Sequence, residues 1–83
     1  MSTKKNTRPI SEEHKERIKR IGEKIRELRK EVEPNYETFA YKNGINRMSY
    51  FNVEKGNNIQ LSTLLKILDG LDITLEEFSK ELK

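Results

Sequence analysis

Apolar residues recur at spacings of three and four along this 83-residue chain, and no stretch alternates apolar with polar over a useful length. Ile18, Ile21, Ile25, Leu28 and Val32 make one apolar stripe, which predicts a long first helix. Ser11 is placed to cap it, and Glu12 and Glu13 sit where the positive end of the helix dipole favours acids. Pro34 disfavours a helical residue just ahead of it, so this helix must end there.

Beyond Pro34 the elements shorten. Asn35 is a cap for a second helix with Phe39 and Ala40 inward, and "KNG" ends it, Gly44 supplying a left-handed turn. Asn46 caps a third helix, with Ile45 and Tyr50 at the two positions of a hydrophobic staple. Gly56, Asn57 and Asn58 read as the loop that follows. Ser62 is the expected cap of a fourth helix, whose stripe is Leu64, Ile67, Leu68 and Leu71. Thr74 and Glu77 form a capping box for a fifth, stapled by Ile73 and Phe78. The expected fold class is all-α, a compact domain of about five helices over 11–83 behind a flexible basic arm at 1–10. No internal repeat is apparent.

Hydrophobic residues make up 33% and charged residues 37%, so a few well-placed aliphatics must build the single small core. The absence of cysteine excludes a disulfide framework and a thiolate metal site, and suits a reducing cytoplasm. No apolar run is long enough to span a membrane, and the polar start "MSTKKNTRPI" does not read as a secretory signal. Charge is unevenly spread: residues 1–30 carry eleven Lys and Arg against five Glu, residues 61–83 three against five acids. A basic front half is either a polyanion-facing side or a solvated helix surface.

Residues 35–56, NYETFAYKNGINRMSYFNVEKG, hold all three tyrosines and two of the three phenylalanines. Within them "ETFAYKNGINRMSYFNVEKG" resembles the second and third helices of the phage-repressor and Cro family of helix-turn-helix regulators, also called the xenobiotic-response-element family. "IGEKIRELRKE" resembles that family's first helix and "LSTLLKILDGLDITLEEF" its fourth and fifth, so the likeness covers about residues 18–82. Ala40, Gly44 four residues on, "VEKG" and the position of Arg29 carry it together. Steeply crossing helices want a small residue at their contact, which Ala40 offers, and a positive φ in the turn, which Gly44 offers; a plain αα-hairpin would want the same.

The resemblance implies a lambda-repressor-like domain with its helix-turn-helix at about 36–55, and a sequence-specific, DNA-binding transcriptional regulator of bacterial type. Its third helix, about 47–55, would enter the major groove. Arg47, Met48 and Asn52 match the family's base-contacting positions. Arg47 suits guanine O6 and N7, Asn52 adenine N6 and N7, and Met48 a thymine methyl. Ser49 would reach a base or phosphate, or help cap its own helix. Phosphate contacts fall to Asn35 and Tyr36 at the start of helix two and to Asn57, Asn58 and Gln60 after helix three. Lys4, Lys5 and Arg8 of the arm would lie on the backbone or in a minor groove, or merely solubilise. The partner expected is double-stranded DNA, a palindromic operator bound by a homodimer. The dimer surface is either the last helix around Leu75, Phe78 and Leu82 or the extra turns at 11–20.

The chain departs from the family at three aromatics. Tyr36 stands where a phosphate-gripping glutamine is usual, Tyr50 where an inward Ile or Val is usual, and Phe51 on a side normally polar. Phe51 is expected to pack under the N-terminal extension or to dock a partner. Arg29 and Glu54 fall where the family pairs charges across its core, and read as structural. His14, the single histidine, has no metal constellation around it, and Glu12, Glu13, Glu76 and Glu77 open helices. With no nucleophile-and-base set and no phosphate loop, neither enzyme activity, metal nor cofactor is expected. A rival reading keeps the fold but makes it a protein-docking module, such as an antitoxin or anti-regulator, through Tyr36, Met48 and Phe51.

Overall fold

In a computed structural model, which describes residues 11–82, the chain forms five helices and no strand among those residues. They are α1 (Glu12–Val32), α2 (Tyr36–Lys42), α3 (Arg47–Glu54), α4 (Leu61–Leu71) and α5 (Leu75–Glu81). Helix α1, 21 residues and so about 31 Å long, packs against α2, α3 and α4, while α5 closes on α4. The core is Ile25, Phe39, Ala40, Ile45, Tyr50, Val53, Ile67, Leu68, Leu71 and Phe78. Each helix thus contributes at least one fully buried side chain, and none is apolar on all sides.

The helix starts follow local chemistry with one exception. Ser11, Asn35 and Asn46 accept backbone N–H bonds from His14, Thr38, and Met48 with Ser49, and Thr74 and Glu77 cap each other reciprocally. Ser62 does not cap α4. That helix begins at Leu61, two residues earlier than a Ser62 cap would place it, closed by Leu64 N–H donating to the Gln60 carbonyl at 3.0 Å, and Gln60 gives no side-chain cap. Burial of Ile67, Leu68 and Leu71 on one face holds α4 in its place.

Other expectations are corrected by packing. Val32 ends α1 57% exposed, because the inward positions of the last turns pass from Ile25 to Arg29 rather than along the apolar stripe. Phe78 is buried in the core, so it is not part of any dimer surface; Leu82 packs half-buried beside it and Leu75 stays exposed. Gly44 adopts φ +67°, turning the chain between α2 and α3. Gly22 marks where α1 touches α3: a Cβ there would lie 2.3 Å from the Val53 carbonyl oxygen. Lys4, Lys5 and Arg8 lie outside the described residues.

Candidate nucleic-acid interface

Helix α3 has two sides of opposite character. Tyr50 and Val53 are buried, whereas Arg47, Met48, Ser49 and Asn52 are exposed, Met48 at 54%. The first turn points its unpaired N–H groups outward, and the Asn46 side chain satisfies two of them, at 2.9 and 3.1 Å from Met48 N and Ser49 N. Asn46 therefore makes the cap alone, which leaves the Ser49 hydroxyl for other work.

What holds α3 is a buried charged cluster. Arg29, 4% exposed, donates from Nε and Nη2 to the two Glu54 carboxylate oxygens, both at 2.9 Å, a fork-to-fork pair across α1 and α3. Its Nη1 donates to the carbonyls of Pro34 at 2.7 Å and Glu33 at 3.2 Å, so the same side chain ties down the α1–α2 connection. The Tyr50 hydroxyl also donates to Glu54. Burial, and then that carboxylate, push the Tyr50 phenol above its ordinary pKa. The inward tyrosine of α3 thus finds its hydroxyl partner inside the protein.

Four of the five aromatics crowded into 35–56 form one cluster between α2 and α3. Phe39 meets Tyr50 with ring centroids 5.3 Å apart, Tyr36 lies 6.4 Å from Tyr50, and Phe51 lies 5.4 Å from Tyr36. The Lys55 ammonium sits 5.4 Å from the Phe51 ring centre. Phe51 therefore packs on α2 through Tyr36. Tyr36 is half-buried in the same cluster, which leaves Met48 as the one exposed member of the trio Tyr36, Met48 and Phe51. Tyr41 stands apart on α2, 85% exposed.

Of the residues nominated for polar contact, Ser49, Asn52, Asn58 and Gln60 come together around one shallow cleft at the end of α3. Asn57 N–H donates to the Asn52 carbonyl at 3.0 Å, so the loop folds back on the helix. Asn57 and Asn58 also border a second cleft, with Lys15, Lys19 and Lys55 on its rim beside Glu12 and Glu16. Asn35 lies apart at the start of α2; its side-chain oxygen caps that helix at 3.0 Å from Thr38 N, so its NH₂ group is the part left to donate elsewhere.

One partner of this surface was not legible in the sequence. Arg47 Nη1 donates to Glu37 Oε2 at 2.8 Å, joining the start of α3 to the start of α2. The two are ten residues apart with a turn between them, a spacing that matches no local pairing rule. No group of three or more His, Cys, Asp or Glu is arranged to hold a metal among the described residues, and no described helix is long and apolar enough to cross a membrane. No family model, curated protein or solved structure matches the chain.

Proposed function

We propose that this chain is a sequence-specific DNA-binding transcriptional regulator of the helix-turn-helix type, with α2, the Gly44 turn and α3 as the reading unit. The observation that carries this reading is the division of α3: one side buried and pinned by Arg29 and Glu54, the other exposing Arg47, Met48, Ser49 and Asn52. Two of those side chains are the types that bond base edges in two-point fashion, and a helix N-terminus with them exposed suits a major groove. The cleft of Asn58 and Gln60 beside Asn52 suits the flanking phosphates. Lys15 and Lys19 on the overhanging start of α1 would extend that phosphate contact. A domain of this size makes few contacts alone, so a homodimer on a palindromic site fits best.

The protein-docking alternative loses much of its support, because Tyr36 and Phe51 are occupied with one another. The deciding experiment is selection from random duplex DNA by the purified protein, with Arg47→Ala and Asn52→Ala alongside. An enriched motif that relaxes at different bases in the two variants is expected. Affinity should fall with salt at a log–log slope of roughly −0.9 per phosphate neutralised. Absence of binding at low salt by folded protein would refute the reading and turn attention to Met48 and Tyr41 as docking residues.

A further inference from the structure

Arg47 does not wave freely in front of α3. Its Nη1 is held by the Glu37 carboxylate at 2.8 Å, from the second residue of α2 to the first of α3. Both side chains are about half exposed or more, so in water the pair adds little to folding. Its placement matters more than its strength. A guanidinium offers five N–H donors in one plane, and a hold through Nη1 leaves Nη2 and Nε with donors to spare for a two-point contact.

We propose that Glu37 is a positioning residue for base discrimination: it fixes the Arg47 guanidinium by one nitrogen so that the remaining edge is presented to a guanine. The inference rests on the DNA-reading function proposed above. A long cationic side chain at a groove has a sequence-blind alternative, which is to swing onto a phosphate. Tethering to Glu37 opposes that swing, so a wrong base at the Arg47 position leaves the guanidinium without its second partner. The same carboxylate repels phosphates, which lowers binding to every sequence alike. Glu37 therefore trades overall affinity for discrimination. Once α3 is seated in a groove and water is displaced, the tether strengthens, because the local dielectric falls.

The test compares four proteins in the same duplex selection and in titrations of the selected site and an unrelated duplex. Wild type against Arg47→Ala identifies the base that Arg47 reads; if wild type enriches no motif, the DNA-reading function fails and this inference with it. Given a motif, Glu37→Ala is expected to lose about 2- to 10-fold of the discrimination at that one base, the cost of immobilising a rotamer-rich side chain. Other positions should stand, and the unrelated duplex should bind more tightly. Glu37→Gln keeps an acceptor oxygen without the charge, so it should retain more of the base preference than Glu37→Ala while sharing its tighter non-specific binding. Three results would overturn the proposal with the motif intact. They are an unchanged preference in Glu37→Ala, relaxation of all positions together with a lowered melting temperature, or a Gln variant no better than Ala.

Discussion

Removing the Glu54 carboxylate is the sharpest perturbation of the internal structure. In Glu54→Ala the Arg29 guanidinium keeps its bonds to the Glu33 and Pro34 carbonyls but loses both bonds to the carboxylate, and the buried Tyr50 hydroxyl loses its acceptor. Breaking a buried pair from one side costs about 3–5 kcal/mol, a large share of the roughly 5–15 kcal/mol that holds a small domain. At about 4–8 °C per kcal/mol, the melting temperature should fall by roughly 12–40 °C. Arg29→Met should cost less, because Glu54 keeps the Tyr50 hydroxyl and has Arg26 Nε at 3.9 Å. The double variant Arg29→Met, Glu54→Leu should recover most of the loss, since apolar replacement of a whole buried pair is often neutral. Urea unfolding followed by far-UV circular dichroism on the four proteins gives the coupling energy directly. A cost below about 1 kcal/mol for Glu54→Ala would mean that the pair behaves as an exposed one, and would refute the reasoning.

Three further outcomes are expected. Gly22→Ala forces a methyl against the Val53 carbonyl, so it should cost roughly 1–3 kcal/mol in chemical unfolding; wild-type stability would mean that α1 and α3 stand further apart than 2.3 Å allows. Asn46→Ala removes the cap of α3 and should cost about 1 kcal/mol, read as a lowered urea midpoint without a changed slope. The third concerns pH. Tyr50 is raised above its ordinary 10.0 in the folded protein, so above that pH the unfolded chain releases a proton that the folded one keeps. This contribution should be constant below about pH 10 and should erode stability above it, by up to about 1.4 kcal/mol per pH unit, and Tyr50→Phe should remove that part of the fall in urea titrations.

Legibility in the sequence tracked the range of the interaction. Asn35, Asn46 and the Thr74–Glu77 box act within one turn, so residue type and spacing sufficed to find them. Gly44 was readable because few residues tolerate its φ. Ser62 misled because a good capping residue lies one position inside a helix whose start is decided by burial further along. Val32 misled for a related reason: a stripe counts apolar residues, and the inward slot nearby belongs to Arg29. Phe51 and the Arg47–Glu37 pair depend on how α2 lies across α3, which no spacing within one helix encodes. Gly22 gave a signal only in retrospect, as a glycine in the middle of a long helix that must have a packing reason. The exposed row of Arg47, Met48, Ser49 and Asn52 was legible as the side of α3 opposite the inward Tyr50, counted one turn on from the Asn46 cap.

The two sides of α3 also bear on how such a protein can diverge. The helix is seated through Tyr50, Phe51, Val53, Glu54 and the cap at Asn46, while Met48, Ser49 and Asn52 lie outside that set and Arg47 reaches α2 only through Glu37. Substitutions at the outer positions leave the seating intact and are expected to move stability by no more than about 0.5 kcal/mol. Drift, or a directed library, can therefore explore a wide range of outer-face chemistries on an unchanged scaffold. Position 47 is the exception, since a new residue there inherits the carboxylate of Glu37 as a neighbour, and hydrogen-bond donors will be retained there more readily than acids.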